Sequence, residues 1–317
     1  MNSPPSSASG KALPRRADLV FRRLTAACAG LILIIILVLV LELVWNAKLS
    51  LHQFGFGFLI SRAWNPVTQE FGALSSIYGT LVSTAIAMLL AVPLSVVTAL
   101  FLVELAPPAL SRIVGMGIEL LAAIPSIIYG MWGLFVFAPW MARHVEPALG
   151  QSFGFLPLFQ GPPMGIGMLT AGVILALMIL PFICAVSRDV FRMVPAVVKE
   201  SAYGMGATTW EVTRKVTLRY GIRGLIGAAF LGLGRAIGET MAVTFVIGND
   251  HTLSASLFSA GNSIASTLAN EFSEASEPLY LSSLVELGLV LFLLTALIQV
   301  AAQVWLLRMQ KAMGGGL

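Results

Sequence analysis

Leu24-Thr25-Ala26-Ala27-Cys28-Ala29-Gly30-Leu31-Ile32-Leu33-Ile34-Ile35-Ile36-Leu37-Val38-Leu39-Val40-Leu41-Glu42-Leu43-Val44-Trp45 carries one charged side chain, Glu42, in its whole length. As a helix this stretch extends about 33 Å, enough to cross the roughly 30 Å of hydrocarbon in a bilayer. Arg15, Arg16, Arg22 and Arg23 precede it, as basic residues precede a secretory leader. The run is too long for a leader, and the small residues Ala26 to Ala29 lie before it where a cleavage site would follow it. It reads as a retained membrane anchor.

The same test, applied outward along the 317 residues, finds five more runs, at 74–103, 113–138, 168–186, 222–248 and 283–306. Backbone polar groups in lipid must be satisfied within the segment, so each run is predicted to be a helix. The expected fold class is an all-α integral membrane protein with six transmembrane helices. Residues 1–23 read as a disordered tail, 24–73 as the first helix with an aromatic external loop, 74–306 as a helical core, and 307–317 as a second tail. Charged residues are 11% of the chain, against about 25% in soluble domains, and mean hydropathy is +0.89.

The net charge of +4 does not mark a nucleic-acid partner, because the basic residues form no basic and aromatic face. They mark topology. The tail, the connection at Arg112, the connection 187–223 and the C-terminal end together hold 15 Lys and Arg, whereas the opposite side holds Lys48, Arg62 and Arg143. The positive-inside rule places both termini in the cytoplasm.

Several chemistries find no support. Cys28 and Cys184 read as packing residues. His52, His144 and His251 stand in separate loops with no second ligand at metal spacing, and read as solvated. No G-x-x-x-x-G-K-[ST] occurs, so no ATP hydrolysis is expected of this chain, and no catalytic residue or metal site is assigned.

Charges inside the membrane runs are the informative ones, since each costs about 2.5–3.5 kcal/mol at a helix centre. Arg235 and Glu239, four residues apart, would stack on one helix face. Arg235 could offer its fork to a passing oxyanion with Glu239 limiting how tightly it binds. The pair could equally be a neutralised structural contact, or bridge to a partner across the small residues Gly234 and Gly238. Glu119 has no cation within four residues, so either its partner comes from another helix or it is protonated, and it is a further candidate for a substrate pathway. Glu42, Glu104 and Glu286 lie near run ends, where solvation explains them.

The connection 187–223 is too long for a turn. Pro195 opens one short helix, Gly204 and Gly206 interrupt it, and Thr208 with Glu211 forms a capping box that starts a second. Such a pair can dock into a groove of another protein or lie along lipid headgroups.

Glu200-Ser201-Ala202-Tyr203-Gly204-Met205-Gly206 resembles the EAA loop of ABC importer permeases, Glu-Ala-Ala-x-x-x-Gly, with Ser201 replacing an alanine. The Ile-x-Leu-Pro that follows in that family reads Val216-Thr217-Leu218-Arg219 here. Phe71-Gly72-Ala73-Leu74, Ile77-Tyr78-Gly79-Thr80-Leu81, Ala122-Ala123-Ile124-Pro125-Ser126-Ile127-Ile128-Tyr129-Gly130 and Gly232-Leu233-Gly234-Arg235-Ala236-Ile237-Gly238-Glu239-Thr240-Met241-Ala242 are similar to the phosphate-specific permeases of the PstC type. The resemblance spans residues 64–306 and implies a type I (MetI-like) ABC importer permease. It implies that Glu200, Ser201, Ala202, Gly206, Ala207 and Thr208 couple to a separate ATPase, and it favours the substrate-pathway reading of Arg235 and Glu239, to which Glu119 is added as a charge inside a membrane run. The partners it implies are a second, PstA-like permease, two copies of a PstB-like ATPase holding ATP and Mg, and a PstS-like phosphate-binding protein, all at a lipid membrane. The competing expectations are a permease for another oxyanion, or an ion-coupled secondary transporter using Arg235, Glu239 and Glu119.

Overall fold

A computed structural model describes residues 16–312, with side chains over residues 18–308. The chain begins with α1 (Arg16–Asn46), two short helices, α2 (Lys48–Phe54) and α3 (Gly57–Ile60), and α4 (Leu74–Leu100), which ends in a π-helical turn, Phe101–Leu105. Next come α5 (Pro108–Ala122) and α6 (Ser126–Trp132), the latter continued through π turns by α7 (Ala138–Trp140) and α8 (Glu146–Phe153). Then follow α9 (Met168–Arg192), α10 (Ala196–Gly204), α11 (Thr209–Val212), α12 (Leu218–Ile237), α13 (Met241–Val246), α14 (Ile264–Glu271) and α15 (Pro278–Ala312).

Five helices are long and apolar enough to cross a membrane, and a bent pair raises the count to six. The pair corrects the reading of 113–138 as one straight span: α5 and the helix from Ser126 meet at 90°. Pro125 lacks an amide hydrogen and its ring clashes with the preceding turn, so α5 ends at Ala122 and the chain restarts from Pro125 at φ −57°, ψ 136°. Pro93 and Pro181 are interior to α4 and α9, which both run on past them. Beside Pro181, Ser95 donates to the Leu180 carbonyl of α9 at 2.9 Å. The run 222–248 is also broken, between Ile237 and Met241. Residues 16–23, expected as part of a disordered tail, are helical; residues 1–15 and 313–317 lie outside the described residues.

α9 is the central helix. It is flanked by α4, α12, α5 and α13, and Ile174, Leu175, Ile179 and Ile183 are fully buried there. Close approach is made possible by missing side chains: a Cβ on Gly172 would stand 2.6 Å from Ile86, and one on Gly232 would stand 2.6 Å from Ile183. Small residues at helix contacts are the main source of packing where lipid is as apolar as the partner. α1 is peripheral, with no residue of its most apolar window buried, and it leans on α15. Ser282 of α15 donates to the Asn46 carbonyl at 2.8 Å and fixes its end.

The aromatic loop 46–73 folds inward. Phe58 and Phe71 are buried, and the Phe71 and Tyr280 rings stack 5.3 Å apart. Of the loop's described aromatic residues Phe56 projects, 90% exposed.

Candidate functional site

α10 and α11 leave the end of α9 as the sequence predicts. Thr208 caps α11: its side chain accepts the Glu211 amide at 3.4 Å, and Glu211 accepts the Thr208 amide at 3.1 Å. Gly206 makes the bend at φ +86°, a left-handed conformation that glycine adopts freely. The Ala207 amide reaches back to the Ala202 carbonyl at 3.1 Å, which closes the end of α10. Ala202 and Val212 face inward, whereas Glu200, Ser201, Gly206 and Thr208 are exposed and Ala207 is half-buried. Val197, Tyr203, Met205 and Trp210 are exposed too, so the loop presents a mixed apolar surface.

This loop is tied to α4 by a residue that sequence reasoning assigned to plain solvation. Glu104, in the π turn after α4, has a side chain only 6% exposed; Lys199 Nζ of α10 lies 2.6 Å from its Oε1 and Thr217 Oγ1 donates to it at 2.9 Å. Glu104 is 95 positions from Lys199, so no local pattern in the sequence announces the contact.

Of the two alternatives for Glu119, the structure shows the partner on another helix: Arg188 Nη2 of α9 donates to its Oε1. Arg188 is buried, although the sequence placed it in a solvated connection, because α9 continues to Arg192.

Arg235 and Glu239 are not a stacked pair. α12 ends at Ile237, so Arg235 is in its last turn and Glu239 lies beyond it. Glu239 Oε1 instead accepts the Ala242 amide of α13 at 3.3 Å, and Glu239 N–H donates to the Ala236 carbonyl at 3.3 Å. Among the described residues no carboxylate lies within 4 Å of the Arg235 guanidinium, which is exposed on the same face as Leu231 and Gly238. Within the chain Gly234 faces α15, where a Cβ would stand 2.4 Å from the Gln299 side chain.

On the side opposite α10 and α11, His251 is not a solvated loop histidine. Its ring stacks on Trp64 at 5.4 Å, Nε2 lies 3.0 Å from Glu271 Oε1, and Nδ1 lies 2.8 Å from Asn262 Nδ2. Trp64 Nε1 and Tyr280 OH each donate to Glu271 Oε2 at 2.6 Å. Burial opposes the Glu271 charge, but hydrogen bonds from His251, Tyr280 and Trp64 outweigh it and hold the carboxyl below its usual range. Glu286, also expected in solvent, is 3% exposed within α15, and its Oε2 has no partner among the described residues. An alternation of acid and small hydroxyls, Ser282, Ser283 and Glu286, was the available signal for that site.

The family described as binding-protein-dependent transport system inner membrane component matches residues 91–311. The chain is 53% identical over 94% of its length to the phosphate transport system permease protein PstC of Mesorhizobium japonicum, of which 92% is covered. It is 52% identical to the PstC protein of Pasteurella multocida, over 94% of both chains. A permease of a bacterial ABC transporter involved in the import of alginate has the same fold, with TM-score 0.61 at 15% identity over 93% of this chain and 99% of the other. The broken fifth span, the capped loop after α9 and these matches have one reading: the chain belongs to the binding-protein-dependent transport system inner membrane components, in their PstC branch.

Proposed function

We propose that this chain forms half of the translocation pathway of an ATP-driven inorganic phosphate importer. A second, homologous permease supplies the other half. The observation that carries the coupling is the surface of α10 and α11, with Val197, Tyr203, Met205 and Trp210 exposed while Lys199 and Thr217 are fastened to Glu104. A groove on a separate ATPase that grips this surface would move α4 with it, because the buried contact leaves the loop little freedom of its own. ATP and Mg would act on that ATPase, and this chain would do no chemistry on the nucleotide. Both termini and the coupling loop would face the cytoplasm. A phosphate-binding protein would deliver substrate to the opposite side.

The PstC relatives support phosphate as the substrate, and the exposed Arg235 supports the pathway. A guanidinium fork matches two phosphate oxygens, and its position on an unpartnered helix face puts it where two permeases would meet. Affinity purification of the chain from membranes in mild detergent tests the reading. Co-recovery of an ATPase and a second permease is expected, and recovery of neither would refute it.

A further inference from the structure

Arg188 is 5% exposed, yet its Nε has no hydrogen-bond partner among the described residues, and only Nη2 meets a carboxylate. A buried guanidinium is expected to use its donors, so an idle Nε is costly and calls for a ligand. The space for it exists. Ser111, Arg112, Met116, Glu119, Arg188 and Arg192 line a cavity of about 210 Å³, between the start of α5 and the end of α9. That volume holds one tetrahedral oxyanion with several waters, at about 30 Å³ per water. Gly115 makes the pocket possible, because a Cβ there would stand 1.9 Å from Arg188 Nη1.

Three guanidinium groups and one carboxylate leave the cavity with an excess of two positive charges. Asp189, next in sequence, is exposed and does not line it. The Glu119 side chain is 60% exposed, whereas that of Arg188 is 6% exposed. Glu119 therefore approaches from the open side, and can swing into water when another anion takes its place.

We infer that Arg112, Arg188 and Arg192 form a binding site for a phosphate-type oxyanion, which Glu119 occupies as an internal competitor. The site lies beside the coupling loop, away from the Arg235 face, and does not depend on the importer reading. Free orthophosphate and the phosphate of an anionic lipid headgroup share the required chemistry. Occupancy releases Glu119 and with it one of the ties between α5 and α9.

The test uses the protein as purified from membranes in phosphate-free detergent, with the nucleotide sites of any co-purified ATPase filled by a non-hydrolysable ATP analogue. Radiolabelled orthophosphate binding is measured by equilibrium dialysis, and retained phosphatidylglycerol by native mass spectrometry. Arg112→Gln/Arg192→Gln changes two exposed side chains and spares the buried one. If free phosphate is the ligand, Glu119→Gln tightens its binding at least threefold and the double variant weakens it at least threefold. If a headgroup is the ligand, the same variants retain more and less phosphatidylglycerol, respectively, with orthophosphate binding unchanged. Equal orthophosphate binding and equal lipid retention in all three proteins would overturn the site. ATP-driven phosphate uptake is measured separately, so a failed importer reading would appear in uptake and leave these binding comparisons standing.

Discussion

Replacing Glu104 by alanine removes the one acceptor shared by Lys199 and Thr217, at 2.6 and 2.9 Å. Two effects set the size of the loss. Hydrogen bonds to a charged group contribute about 1.5–3 kcal/mol, and stranding one partner of a fully buried ion pair costs about 3–5 kcal/mol. The Lys199 side chain is 18% exposed and can turn its ammonium to water, which keeps the loss near the lower bound. We expect Glu104→Ala to free α10 by about 2–3 kcal/mol, roughly a 30- to 150-fold rise in local opening at 1.4 kcal/mol per tenfold. Hydrogen exchange of the amides of 196–204, measured in the assembled transporter, reads this directly. Glu104→Gln, which keeps an acceptor oxygen, should fall between the two. In Glu104→Ala, uptake per ATP hydrolysed should drop while the ATPase still binds. Unchanged exchange over 196–204 in a folded Glu104→Ala assembly would show that the loop is not held by this contact, and the coupling argument would fail with it.

Arg235→Gln should lower phosphate uptake at least tenfold with the assembly still recovered intact, because the exposed guanidinium holds no intrachain carboxylate; normal uptake would remove Arg235 from the pathway. Glu271 has a folded-state pKa below its unfolded value, so its contribution is present above about pH 4.3 and is lost as pH falls through the lower folded value. Trp64 fluorescence should therefore change at a pH below about 4.3 in the wild type, and Glu271→Gln should abolish that transition; a transition above that pH would contradict the hydrogen-bonded arrangement. Gly79→Ala would place a Cβ 1.9 Å from the Asn262 carbonyl oxygen, a backbone atom that cannot step aside, and should destabilise the fold by about 1–3 kcal/mol in thermal unfolding. An unchanged melting temperature would mean that the loop around Asn262 is not packed on α4.

The parts of the fold legible in the sequence are those with a local physical signature. Runs of apolar residues gave the spans, and Thr208 with Glu211 gave the second short helix, since a capping box is complete within four residues. What escaped depended on contacts between distant positions or on where a helix stops. Glu104 and Glu286 resemble solvated residues because each stands near a run end, and only packing from remote segments buries them. His251 has no neighbour of interest in sequence, and its partners Trp64, Asn262 and Glu271 come from three different segments. Arg235 and Glu239 were misread as a stacked pair because hydropathy passes smoothly through Gly238, whereas the backbone does not. For Glu119 the lack of a local cation left either a remote partner or a protonated carboxyl, and Arg188 supplies the partner.

The break between α12 and α13 has an electrical consequence. Arg235 stands in the last turn of α12, the negative pole of that helix, and Glu239 bonds an amide at the positive pole of α13. Each exposed end thus carries the charge that neutralises it. On the proposed reading, an anion drawn to Arg235 would share that cation with the carbonyl ends of α12. The break would then limit its own affinity: a field already partly spent on the helix favours a brief stay over tight capture.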